Sequence, residues 1–224
     1  MPVRGFPIFT AYPAVAGPIR APFRDTFAMG NLTREEARTY FFDYVMPFHE
    51  HPPGANEAWE RVYEVCGGNP GVLGSCALKV AKFSSWELGA SRMPTCAAFA
   101  WCAHRAVLAG CDAIVQTAMT DISKGLRMVA FKDAAWCTED FRAVLRSIVS
   151  SPHAAVPVEQ LDALLGAGGD AKLESMNQKN LLLRRAYDPL ARDIDAAAFG
   201  AVREDVYTLQ SAAHVLAARR KLKL

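Results

Sequence analysis

Two segments of helical periodicity meet at Val65-Cys66-Gly67-Gly68-Asn69-Pro70-Gly71-Val72-Leu73. The segments cover residues 56–66 and 72–83. Adjacent glycines can end a helix, because glycine adopts the left-handed conformation without a Cβ penalty. An asparagine can cap the following helix, and a proline suits its first position, where no backbone N–H is needed. The stretch therefore predicts a helix–turn–helix corner.

A helix that begins at such a corner offers a candidate binding position. Its N-terminus carries free N–H groups and the positive end of the helix dipole, and both suit a phosphate or another polar ligand. The same stretch is also compatible with a plain connector between two core helices. The local sequence leaves both interpretations open.

Composition and charge limit the domain number, the binding partners and the metal chemistry that can be expected. The chain has 224 residues, of which 51% are apolar, so it can bury a core large enough for one or two domains. Its net charge of +2 gives no strong attraction to nucleic acid or anionic lipid. The cysteines form no C-x-x-C pair, which favours buried free thiols and an intracellular, cytoplasmic setting. The spacing of Cys96, Cys102 and His104 matches no zinc pattern, so no metal is expected.

Residues 1–30 are predicted to form an irregular leader. Five prolines disrupt any regular helix there: Pro2, Pro7, Pro13, Pro18 and Pro22. Residues 23–29 alternate enough to form a short strand. Arg4 precedes a short apolar run, and no acid occurs before Asp25, so organelle targeting remains an alternative.

Residues 31–90 are predicted to form a small helical bundle. Thr33 and Glu36 fit a capping box, in which each side chain accepts a hydrogen bond from the other residue's backbone. Apolar residues recur at helical spacing in three successive stretches. The predicted helices cover residues 33–45, 55–66 and 72–83.

Residues 91–135 form an atypical apolar segment that includes a connecting helix. Its richest part, residues 93–119, is interpreted as a buried helix or hairpin, and an insertion foreign to the native protein is the alternative. His104, Arg105 and Asp112 interrupt it, so no uncharged run reaches the ~18 residues that a membrane span requires. No membrane association is expected.

Residues 136–224 have the element order of a winged-helix domain. Three helices are predicted first and two β-compatible stretches follow, over residues 138–150, 158–165, 171–180, 181–185 and 205–209. A last helix, capped by Ser211, ends in Arg219-Arg220-Lys221. Three helices followed by a two-stranded hairpin is the winged-helix order.

Two stretches ahead of the corner carry a family resemblance. They are Gly30-Asn31-Leu32-Thr33-Arg34-Glu35-Glu36-Ala37-Arg38 and Trp59-Glu60-Arg61-Val62-Tyr63-Glu64-Val65, the second of which runs into Gly67-Gly68-Asn69-Pro70. The set resembles the lid region of archaeal-type P-loop ATPases, relatives of the STAND and AAA+ classes. The resemblance covers residues 23–86 and resumes in the winged-helix-like tail. It implies a mainly α fold, with a helical lid bundle followed by a winged-helix domain.

The resemblance also implies a nucleotide site. In this family the proline of the Gly-Gly-x-Pro corner lies against the nucleotide base, so four residues become candidate contacts for ATP or ADP: Gly67, Gly68, Asn69 and Pro70. The chain has no G-x-x-x-x-G-K-[ST] stretch and no paired acids for magnesium, so nucleotide binding requires a separate P-loop portion. The expected function is a nucleotide-sensing or regulatory module that does not hydrolyse ATP alone.

Two alternatives from other classes stay open. A winged-helix regulator would contact DNA or a partner through the third helix and the wing, at Lys172, Asn177, Lys179, Arg184 and Arg185. Nearby acids almost balance this basic charge, and non-specific DNA affinity depends on a surplus of cations. The second alternative is an adaptor that pairs with a separate nucleotide-binding chain. The expected partner is a nucleotide-binding domain or another protein, and DNA is the alternative.

Overall fold

The structure is a computed structural model that describes residues 31–46, 58–90, 96–128, 131, 133–188 and 194–224. Within these ranges the protein is mainly helical, as the sequence predicts. The leader predicted for residues 1–30, with its short strand, lies outside the described residues.

The first helices lie on either side of the glycine corner. They are α1 (Arg34–Thr39) with a π-helical continuation (Tyr40–Val45), α2 (Trp59–Cys66) and α3 (Pro70–Ala90). The predicted capping box at the start of α1 is confirmed, because the Glu36 carboxylate accepts from the Thr33 N–H at 2.9 Å and the Thr33 hydroxyl accepts from the Glu36 N–H. Aromatic packing joins the π-helical segment to α2, since the rings of Phe41 and Trp59 are 6.0 Å apart.

A single long helix, α4 (Cys96–Arg127), occupies the centre of the fold. The sequence predicts a buried helix or a hairpin here, and the structure has the helix, 32 residues long. It packs against α2 and α3, and Gly110 allows the close approach, because a Cβ at Gly110 would lie 2.8 Å from the Val80 Cγ2. Its buried face repeats at helical spacing, with Val107, Cys111, Val115, Ala118 and Ile122.

The remaining elements combine four helices with a small sheet. In chain order they are α5 (Thr138–Ser150), β1 (Ala155–Pro157), α6 (Val158–Leu165), α7 (Gly169–Gln178), β2 (Leu183–Arg185), a 3-10 turn (Ala196–Phe199), β3 (Val206–Thr208) and α8 (Ala212–Leu222). The sheet order is β1-β3-β2, with both pairings antiparallel. In its register Thr208 lies opposite both Ala155 and Leu183.

Strand β1 and the bounds of α7 differ from the prediction. The sequence does not predict β1, because three residues ending in a proline are too few for an alternating pattern. Helix α7 ends at Gln178, two residues before the predicted end at Asn180. Asn180 has a φ of 56°, and this left-handed residue turns the chain toward β2.

One hydrophobic core joins the segments. It contains Phe41 near the start of the described chain, Val115 on the central helix, and Phe141 and Ala217 from α5 and α8. Helix α4 packs against α5 and α8 as well as against α2 and α3. The predicted boundaries near residues 91 and 136 stay predictions. No helix in the described part of the chain is both long enough and apolar enough to cross a membrane.

Candidate functional site

The glycine corner is built on close backbone contacts. Gly67 ends α2 with a φ of 58°, a value that glycine adopts without a Cβ clash. The Gly68 carbonyl accepts a hydrogen bond from the Leu32 N–H at 2.8 Å. A Cβ at Gly68 would overlap the Leu32 carbonyl oxygen and lie 2.8 Å from the Leu32 nitrogen. The corner is therefore docked against Leu32, just before α1, and only glycine fits at position 68.

The start of α3 uses most of its own N–H groups. The Asn69 side chain accepts from the Val72 N–H at 3.1 Å and its carbonyl accepts from the Leu73 N–H at 2.9 Å, so Asn69 caps the helix as predicted. Pro70 is the first helical residue and has no N–H. Among the described groups, Gly71 thus keeps the one first-turn N–H without an acceptor. Such a corner can offer a polar contact and a proline ring, but not a cradle for several phosphate oxygens.

Exposure limits which corner residues a ligand can reach. Gly68 is buried, whereas Asn69, Pro70 and Gly71 are half-buried. Gly67 is half-buried and faces α8, since a Cβ at Gly67 would lie 3.4 Å from the Ala212 Cβ. The accessible part of the predicted nucleotide contact is therefore Asn69 and Pro70.

The beginning of α8 is tied to α4 beside the corner. The predicted cap by Ser211 is not formed with the backbone, and the Ser211 hydroxyl lies 2.9 Å from the His214 Nδ1 instead. The His214 Nε2 faces Asp121 of α4, with 3.8 Å between the nitrogen and the Asp121 Oδ2. The corner, α8 and α4 thus meet at one junction.

The buried imidazole at this junction makes stability depend on pH. Burial lowers the pKa of His214 below its ordinary value of 6.5, and the opposing attraction of Asp121 is smaller. The unfolded chain therefore takes up a proton at this position before the folded chain does. As the pH falls through 6.5, this residue lowers the free energy of unfolding.

We expect His214→Gln to weaken that pH dependence. Wild-type protein should lose more of its unfolding free energy than the variant does between about pH 7.5 and about pH 5.5, measured by urea unfolding. His153 is exposed, so His153→Gln provides the control and should follow the wild-type curve. Parallel curves for wild type and His214→Gln would contradict the assignment.

Lys172, predicted as a partner contact, faces the protein instead. Its Nζ lies 3.2 Å from the Asp140 Oδ1 and 3.2 Å from the Leu165 carbonyl. Burial would raise the pKa of the Asp140 carboxyl, but hydrogen bonds from Cys137 and Lys172 outweigh it and hold that pKa below its ordinary value. The ammonium group of Lys172 is therefore already paired with a carboxylate within the fold.

The other predicted contacts lie around the end of α7 and on β2. The Arg184 Nε donates to the Asp205 Oδ2 at 2.8 Å, and this hydrogen bond raises the pKa of Arg184. The Asn177 Oδ1 accepts from the Arg184 N–H at 3.4 Å. The Lys179 side chain is exposed and has no partner among the described residues, whereas Arg185 is half-buried and does have one. The five predicted residues thus lie on neighbouring elements but do not form one free basic surface.

Among the cysteines whose side chains the structure describes, Cys66, Cys76 and Cys111 are buried free thiols and Cys137 is an exposed one. The Sγ atoms of Cys76 and Cys111 are 3.9 Å apart, across the α3–α4 contact. Within the described ranges no group of three or more His, Cys, Asp or Glu side chains could hold a metal ion. The three buried thiols, Cys66, Cys76 and Cys111, pack as small apolar residues of the core.

Comparisons with protein-family models, with curated proteins and with solved structures give no match. The candidate site is accordingly inferred from the geometry of this chain alone. Sequence reasoning does not identify Leu32 and Ala212 as neighbours of the corner, because no local pattern signals contacts between residues so far apart in the chain. The glycine pair itself is the available signal, since a close backbone approach is one reason for a glycine.

Proposed function

We propose that residues 136–224 form a winged-helix domain. The connectivity supports it: helix α5, strand β1, helices α6 and α7, then strands β2 and β3 with β3 between its two neighbours. This is the element order in which a helix is presented beside a two-stranded wing. Helix α8 then returns to pack on α4 and α5.

We further propose that the chain is the lid and winged-helix module of a P-loop ATPase. It would sense nucleotide held by a separate nucleotide-binding domain and would not hydrolyse it alone. The observation that carries this proposal is the position of the corner, which contacts Leu32 before α1 and Ala212 at the start of α8. A ligand that moves the corner would therefore act on both parts of the chain, and α8 would follow as part of a rigid body.

The nucleotide in this proposal is ATP or ADP. The Pro70 ring would lie against the base, and the Gly71 N–H would supply one polar contact. Because the start of α3 leaves so few free N–H groups, the phosphates and any magnesium would be held by the P-loop portion. The chain alone is then expected to bind nucleotide weakly.

A winged-helix DNA regulator is the second candidate function. Lys179 is exposed and unpaired in the described structure, which favours it. The pairs that Lys172 and Arg184 form with Asp140 and Asp205 weigh against it, because each must be broken or shared before a phosphate is bound. An adaptor that pairs with a nucleotide-binding chain would use the same lid corner.

The proposal is tested by nucleotide-dependent capture. The immobilised chain is incubated with extract from its native cells in the presence of ATP, ADP or neither, and bound proteins are identified by mass spectrometry. We expect a protein with a Walker A sequence whose retention depends on the nucleotide. Pro70→Ala should reduce that retention, because it removes the ring that the base would contact.

Ser75→Ala provides the matched control for this capture. Ser75 is exposed on the same helix, one turn beyond the corner, so its replacement should leave retention unchanged. Capture of no P-loop protein, or retention that is indifferent both to nucleotide and to Pro70, would contradict the proposal.

A further inference from the structure

The last turn of α8 concentrates positive charge. Arg219, Arg220 and Lys221 in this turn and Lys223 directly after it are exposed, and no acidic residue lies within α8. The whole chain carries a net charge of +2, so removing these four charges leaves −2 for all other residues. The net charge of the whole chain is thus small, although the end of α8 is strongly basic.

These cations have no carboxylate partners in the described structure. Several other exposed cations have carboxylate partners, namely Arg34 with Glu60, Lys124 with Asp121 and Arg184 with Asp205, whereas Arg127, Arg146 and Lys179 are exposed single cations with no such partner in the described structure. The end of α8 differs from those three positions in bringing four such cations together. Stabilisation of the helix end accounts for part of the cluster, since cations suit a helix C-terminus. The helix dipole, however, amounts to roughly half an elementary charge, and the cluster carries far more.

The arrangement of the cluster indicates what it binds. Arg219, Arg220 and Lys221 are consecutive in a helix, so they point in directions about 100° apart and span more than half of its circumference. A flat acidic protein surface would pair with a single stripe of such a helix. Phosphates on the two walls of a nucleic-acid groove can meet a helix end from several sides.

We propose that the end of α8 binds the phosphate backbone of duplex nucleic acid without reading its sequence. Lysine and arginine side chains supply the contacts, and released counterions supply the free energy. This site is separate from the nucleotide corner, and it differs from the surface around α7 and β2, where Lys172 and Arg184 are already paired.

The test measures duplex binding as a function of salt. Fluorescence anisotropy of a mixed-sequence DNA duplex, and of an RNA duplex in a parallel arm, is recorded for the full chain. We expect the triple variant Arg219→Gln, Arg220→Gln, Lys221→Gln to flatten the slope of log K against log salt by about 3, because each phosphate contact contributes about 0.9. Glutamine keeps the helical propensity, and circular dichroism checks that the variant is folded.

A matched triple variant distinguishes a local site from net charge. Arg34→Gln, Arg61→Gln, Lys124→Gln removes the same charge from cations that already have carboxylate partners, and its slope should stay close to wild type. Equal flattening in both triples, absence of binding to either duplex, or equal competition by poly-glutamate would each overturn the proposal. Nucleotide-dependent capture by the α8 variant should be unchanged, which separates this test from that of the lid function.

Discussion

Replacing Gly68 by alanine is expected to lower the free energy of unfolding by about 3 kcal/mol. The new Cβ would overlap the Leu32 carbonyl oxygen, and backbone atoms cannot rotate away as a side chain can. Relief of the overlap would also break the hydrogen bond from the Leu32 N–H to the Gly68 carbonyl. Urea unfolding followed by tryptophan fluorescence measures the loss.

Gly74→Ala is the matched control for this substitution. Gly74 lies within α3, and no atom lies within 4 Å of a Cβ added there. Alanine is the better helix former, so the control should be neutral or more stable by up to about 1 kcal/mol. Similar losses for the two variants would show that Gly68 is not held against Leu32.

Leu73→Ala is expected to cost about 2–5 kcal/mol of unfolding free energy. Leu73 is completely buried in the core, one turn after the corner, and its N–H bonds to the Asn69 carbonyl. The substitution leaves a cavity beneath the residues that cap α3. Thermal and urea unfolding should both report the loss.

Leu78 on the same helix provides the comparison for Leu73. Its exposed fraction is 47%, so Leu78→Ala makes the same chemical change outside the core. We expect its effect to stay within about 1 kcal/mol. Equal losses of unfolding free energy for Leu73→Ala and Leu78→Ala would mean that Leu73 does not lie on the buried face of α3.

Local signals allowed much of the fold to be predicted. The capping box of Thr33 and Glu36 and the cap by Asn69 involve groups within three residues of each other, so the sequence contains both partners. The helix that ends at Gly166 is a further example, because the positive φ of that glycine closes the last turn. The helix predicted over residues 138–150 is likewise present, as α5.

Features that depend on distant residues could not be predicted in this way. Strand β1 exists because Ala155 and Val156 pair with Thr208 and Tyr207, and three residues carry no pattern of their own. The sequence of residues 91–135 does not predict that α4 packs against α8, because this packing depends on tertiary contacts between residues far apart in the chain.

The candidate site also combines features that the local sequence predicts with features that depend on distant residues. Pro70 was placed at the start of a helix by local chemistry, and the structure has it there. Lys172 and Arg184 were candidates because of their residue type, and their pairing with Asp140 and Asp205 depends on the tertiary fold. Because both side chains are already paired, the structure supports a partner contact by Lys172 and Arg184 less than their residue types alone do.

The contact between the corner and a nucleotide is tested most directly by backbone amide chemical shifts of the isotope-labelled chain, bound to its captured P-loop partner, during titration with ADP. We expect saturable shifts at Gly71 and Val72, next to Pro70, and an unmoved signal for Lys179 at the end of α7. Shifts confined to α7 or to Arg219 and Arg220 of α8, or no shifts at millimolar ADP, would contradict it.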